Sequence, residues 1–178
     1  MKKKIDITTP YSGVSKFYFE KIIDTIIEEG QLKKKNLKIL DFGCGLKFLQ
    51  KKLNKKIYNY DVNPKLSDLK KWDMETYDVV IFNHVIMYMS EKSLTQTIKK
   101  IKQLNNKCKI IIGVGKESIL NRIAAYLTLR FDYLKNTKMN YQKQINYINK
   151  NFLVKKKRIF IFLQKFIFVS FYCEMHYL

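Results

Sequence analysis

Apolar positions along the 178-residue chain recur in two alternating periods. From Gly13 to Ile27, the residues Val14, Phe17, Tyr18, Ile22, Ile23, Ile26 and Ile27 keep helical spacing, and Gly30 ends the pattern. Residues 31–36 are a basic polar linker. Leu37–Leu40 then reads as a first buried strand, and Phe48, Leu49 and Leu53 as a helix ending near Asn54. Ile57–Tyr60 is a second short strand, and Asp78–Phe82 a continuous apolar strand suited to the middle of a parallel sheet. Ser90 can cap a helix that runs to Leu104 through Leu94, Ile98 and Ile101. Asn105 and Asn106 turn the chain into a strand over Cys108–Val114. Residues 117–135 read as an amphipathic helix, and 138–151 carry Tyr141, Ile145 and Ile148 at helical spacing. Two β-rich stretches, Phe152–Phe162 and Phe166–Cys173, close the chain as a hairpin around Gln164 and Lys165.

Strands alternating with helices predict an α/β fold. The length suits a single domain with one core, and neither repeats nor low-complexity segments suggest a second. Net charge is +20, which invites a nucleic-acid reading. Yet arginine, the residue best suited to bidentate phosphate and base contacts, occurs only at Arg122, Arg130 and Arg158. A lysine-, asparagine- and isoleucine-rich chain is more simply explained by a compositional bias of its genome. Cys44, Cys108 and Cys173 are far apart and show no zinc spacing, so reduced thiols in a cytoplasmic protein and no metal are expected. No apolar run follows the basic N-terminus, and Ile159–Cys173 is too short for a membrane span.

Candidate chemistry centres on K-I-L-D-F-G-C-G-L-K-F-L, where Asp41, Phe42, Gly43, Cys44 and Gly45 read as a tight loop between strand and helix. Its glycines permit close approach of a ligand to the main chain. The loop lacks the G-K-S/T ending of a phosphate loop, and Phe48 stands where a dinucleotide loop needs its last glycine. Asp61 ends the second strand, where a carboxylate can accept ribose hydroxyls. Asn83 and His84 follow the next strand, at the sheet edge where open α/β folds bind ligands. A histidine there has an ordinary pKa suited to base chemistry, and shaping the pocket through backbone bonds is the plainer alternative. Met87, Tyr88 and Met89 are expected in the core.

D-F-G-C-G, Y-D-V-N-P and Y-D-V-V-I-F-N-H-V, in that order, resemble the motifs of class I S-adenosylmethionine-dependent methyltransferases. The resemblance covers residues 37–115 well and the remainder by order of elements. It implies a Rossmann-like, mostly parallel sheet with helices on both faces, an antiparallel C-terminal hairpin and a shortened region around strand three. It divides the chain into an N-terminal helix or cap (1–36), a cofactor core (37–115), variable substrate-side helices (116–151) and the hairpin (152–178). It implies S-adenosyl-L-methionine (SAM) as cofactor, with Asp41, Gly43, Cys44, Gly45, Asp61, Val62, Asp73, Asn83 and His84 against it, and His84 as the candidate catalytic residue. Tyr11, Phe17 or Tyr18 would touch the cofactor if the first helix covers it, although sheet packing is the simpler role for the last two.

Two departures stand out. Lys47 occupies the third small position of D-x-G-x-G-x-G. The stretch 62–77 is too short for the family's helix, strand and loop, so a reduced helix over Leu66–Lys71 and at most a vestigial strand are expected. Asp73 falls where the family carries an acid for the adenine amino group, an exposed loop acid being the alternative. Trp72 is expected to plug the shortened edge or to wall the adenine pocket. Asn83-His84-Val85-Ile86 is not the block of adenine-amino DNA methylation, there is no nucleophilic cysteine for cytosine chemistry, and only Glu91 lies where arginine methylation needs two glutamates. The implied activity is methyl transfer to an O, N or C atom of a small-molecule or glycan-like acceptor. An RNA methyltransferase, betrayed by salt-sensitive affinity, and a non-catalytic cofactor-fold binding protein, betrayed by failure to bind SAM, are the alternatives.

Overall fold

The computed structural model describes residues 13–115, 136–153, 156–162, 167–173 and 176–177, with backbone path alone for 13–18 and from 156 onward. Helix α1 (Gly13–Gly30) leads to strand β1 (Ile39–Phe42), helix α2 (Phe48–Leu53) and strand β2 (Tyr58–Tyr60). Strand β3 (Val79–Asn83), a single 3-10 turn at Ile86–Tyr88, helix α3 (Glu91–Leu104) and strand β4 (Lys109–Gly115) follow. Helix α4 (Tyr141–Asn151) runs into β5 (Phe152–Leu153), then β6 (Lys156–Phe162), β7 (Ile167–Cys173) and β8 (His176–Tyr177).

Six strands form one sheet in the order β2-β1-β3-β4-β7-β6. The first four are parallel, and β7 and β6 join them as an antiparallel hairpin. The period of two along each strand decides which core a side chain enters. Leu40, Phe42, Val80, Phe82, Ile110, Ile112 and Val114 pack against Leu94, Ile98 and Ile101 of α3 and Tyr147 and Ile148 of α4. Ile39, Val79, Ile81 and Ile111 pack on the opposite face against Ile22, Ile23, Ile26 and Ile27 of α1 and Leu49 of α2. Burial on both faces explains why these strands read as continuous apolar runs.

Most predicted elements stand, with boundaries moved. Strand β1 lies two residues later than expected, so Asp41 and Phe42 belong to the strand and not to the loop. Ser90 caps α3 as expected, accepting the Ser93 amide at 3.1 Å. The expected helix over Leu66–Lys71 does not form: residues 62–77 are turns and bends, without a strand either. Trp72 is part-buried with its ring edge-on to Phe42, centroids 5.6 Å apart. The stretch Phe152–Phe162 is broken, since Phe152 and Leu153 pair with Tyr177 and His176 in a separate two-stranded ribbon. Tyr88 is exposed, not in the core with Met87. The helix predicted over 117–135 lies outside the described residues, as do Tyr11 and the side chains of Phe17, Tyr18 and Cys173. No helix among the described residues is long and apolar enough to cross a membrane.

Candidate functional site

Parallel strands put all their C-terminal ends on one rim, so the turns after β1, β2 and β3 and the end of β4 converge there. Gly43 opens the first turn with φ 79°. Its amide and that of Cys44 both donate to the Tyr60 carbonyl, at 2.7 and 3.1 Å, which clamps the loop to the end of β2. A Cβ on Gly43 would lie 2.4 Å from Val85 Cγ2, so only glycine lets the loop after β3 close on the loop after β1. Gly45, with φ 48°, is different: a Cβ there would meet nothing within 4 Å. The glycine pair therefore serves two purposes, packing at Gly43 and open approach at Gly45.

Asp61 sits across this opening. Its Oδ2 accepts the Gly45 amide at 3.0 Å and its Oδ1 the Asn63 amide at 2.8 Å. Asp41 is buried in β1, and its carboxyl is pushed up to about 7 by burial and then by the neighbouring Asp61 charge. Cys44 lies beside both acids. Burial first, and then the charges of Asp41 and Asp61, push its thiol up to about 12, so it remains protonated and donates to the Leu66 carbonyl at 3.6 Å. Val62 projects into solvent at 86% exposure beside Asp61. Asp73 is part-buried on the turn after Trp72 and makes no hydrogen bond among the described residues.

Asn83 and His84 occupy the neighbouring strand end. His84 has φ 56°, a left-handed conformation at the point where β3 turns away, and its amide donates to the Gly113 carbonyl at 3.0 Å. Asn83 Oδ1 and His84 Nε2 are both sealed from solvent without a hydrogen-bond partner among the described residues. Unsatisfied buried polar atoms are costly and point to a group that satisfies them. Burial pushes the imidazole down to about 4. His84 is thus a neutral ring at physiological pH, which corrects the expectation of a base poised near neutrality.

No protein-family model and no curated protein matches the chain. Solved structures do match. Magnesium protoporphyrin IX methyltransferase from Synechocystis PCC 6803, crystallised with SAM, is 10% identical over 96% of this chain and 88% of its own, with a TM-score of 0.64. N-methyltransferase NodS from Bradyrhizobium japonicum WM9, in complex with S-adenosyl-L-homocysteine (SAH), is 10% identical over 87% and 86%, at 0.60. The methyltransferase domain of bacterial CtHen1 is 12% identical over 90% and 99%, at 0.56. The fold is that of the class I SAM-dependent methyltransferases. The rim described above is the edge at which open α/β sheets of this kind carry their ligands.

Several residues of this edge escaped sequence reading. Gly115, on β4, leaves room for His84: a Cβ there would fall 2.6 Å from its Cε1. Phe19 of α1 presents its ring edgewise to the imidazole at 6.3 Å. Lys47, with φ 57° and ψ 38°, takes the left-handed backbone that a glycine in its place would take freely. Its ammonium pairs with Asp68, which also accepts from Asn59 Nδ2 at 2.7 Å. Only the missing glycine signalled Lys47 in advance, because its partner lies 21 residues away.

Proposed function

We propose that the protein is a SAM-dependent methyltransferase acting on an O, N or C atom of a small-molecule acceptor. The observation that carries this is the open side of Gly45, with its amide held by the Asp61 carboxylate across the loop. An exposed glycine main chain beside a carboxylate suits a cofactor with an amino-acid tail and a ribose. Bound SAM would supply a methyl group already activated on a sulfonium sulfur.

The chain's own residues divide the remaining work. The Gly43–Gly45 loop would take the amino-acid end, with the Asp41 carboxyl beneath it as a hydrogen-bonding group. Asp61 would exchange its loop amides for ribose hydroxyls. Val62 offers an apolar surface to the purine, and Asp73 an acceptor for its amino group. Asn83 and His84 would orient the acceptor by hydrogen bonds to the two atoms that lack partners among the described residues. A neutral His84 holds the reacting atom in line and is a weak proton acceptor, so proton release to solvent after transfer suits it better than general base catalysis.

The Asp61 carboxylate at the loop favours a neutral or cationic acceptor over a nucleic acid. Native mass spectrometry of the purified protein with added SAM or SAH tests the reading. One molecule bound per chain, together with loss of labelled methyl from SAM to a small acceptor, is expected. A protein that retains neither compound at any concentration contradicts it.

A further inference from the structure

We propose that Lys47 is a positioning residue that straps segment 62–77 onto the glycine loop and so holds the adenosine-side wall of the cofactor cleft. The inference rests on the cofactor reading above and explains its main departure from the family pattern. In a loop of the D-x-G-x-G-x-G type, a glycine at this position supplies a left-handed turn and nothing more. Lys47 supplies the same turn: its amide donates to the Cys44 carbonyl at 2.9 Å, and its carbonyl accepts the Lys51 amide at 3.1 Å. It adds a side chain that reaches Asp68.

Asp68 is the anchor of the segment. Its amide donates to the Asn59 carbonyl at 2.9 Å, and its second carboxylate oxygen accepts from Asn59 Nδ2. Asn59 is fully buried in β2 and also donates to Gln50 Oε1 of α2 at 2.6 Å. Lys47 and Asn59 together hold the Asp68 carboxyl below the usual carboxylate range, with Lys47 the larger cause. Loop, strand and segment thus share one charged knot. The segment needs it, because it contains neither helix nor strand while carrying Val62 and Asp73 and following Asp61.

The test compares wild type with Lys47→Gly, Lys47→Met, Asp68→Asn and the Lys47→Met/Asp68→Asn double variant. Methionine keeps the stem and the backbone constraint without the charge, and the carboxamide of Asp68→Asn keeps an acceptor for Asn59. Two readouts are taken: amide hydrogen exchange over 62–77, and calorimetric affinity for SAH and for adenosine. Each single change is expected to speed exchange across the segment and to weaken both ligands about fivefold, the scale of a part-exposed pair. The double variant should be no worse than either single one. Lys47→Gly should also lose affinity, although its backbone is relaxed. Unchanged exchange, or tighter binding by Lys47→Gly than by wild type, would overturn the strap. Wild type that binds no SAH would overturn the cofactor reading instead, and the exchange comparison would still decide the strap.

Discussion

Burial pushes the Asp41 carboxyl up to about 7 from 3.8 and the His84 imidazole down to about 4 from 6.5. Their effects on stability oppose each other. Between pH 4 and 7 folded Asp41 keeps a proton that the unfolded chain has released, so its contribution falls as pH rises. Between pH 4 and 6.5 unfolded His84 holds a proton that the folded ring refuses, so its contribution rises with pH. Asp41→Asn should therefore leave a stability that climbs across this window, and His84→Asn one that declines, each by up to about 1.4 kcal/mol per pH unit. Urea unfolding at four pH values checks both slopes. The two loop glycines should separate in a similar way. Gly43→Ala drives a methyl into Val85 at a left-handed φ and should cost about 2–4 kcal/mol of stability in urea melts. Gly45→Ala meets no atoms, so it should cost about 1 kcal/mol yet abolish cofactor binding measured by calorimetry.

At the scale of elements, the long periodic segments were legible and the compressed one was not. Ile22, Ile23, Ile26 and Ile27 announce α1, and Leu94, Ile98 and Ile101 announce α3, because each helix buries one stripe on the sheet. Asp41 read as loop because a charged residue rarely lies in a strand buried on both faces. Nothing local to the sequence reveals that it would be sealed there at a raised pKa. Leu66–Lys71 read as helix from spacing alone. Side chain to backbone bonds compete with the helix there: Ser67 Oγ donates to Leu69 O at 2.7 Å and Asn63 Oδ1 accepts the Lys65 amide at 3.1 Å. With no regular structure of its own, this segment leans on Trp72. Trp72→Ala should remove the Phe42 contact, cost about 3 kcal/mol and expose 62–77 to limited proteolysis before the rest of the chain. Of the candidate site, the loop, Asp61, Asn83 and His84 were legible as ends of strands. Gly115, Phe19 and the Lys47–Asp68 pair were hidden because each acts through a residue distant in sequence.

At the scale of the molecule, charge is arranged by rim. Lys33, Lys34, Lys35, Lys38, Lys55, Lys56 and Lys107 precede or open the N-terminal ends of β1, β2 and β4, opposite the cleft. Lys55 ties two of these turns together through the Leu32 and Lys34 carbonyls. The loop at the opposite rim instead has Asp41, Asp61 and Asp68 about it, beside Lys47. The net charge of +20 thus gives no reason to seat a polyanion at this rim. The four parallel strands set this division, since they send their C-terminal ends to one side and their lysine-rich lead-ins to the other. The central claim is that this acid-bearing cleft binds SAM and its demethylated product through the glycine loop and Asp61. Calorimetric titration of SAH into wild type and Asp61→Ala tests it most directly. Saturable one-to-one binding by wild type, weakened at least about tenfold by the substitution, is the predicted result. No heat with wild type, or equal affinity in the two proteins, would contradict it.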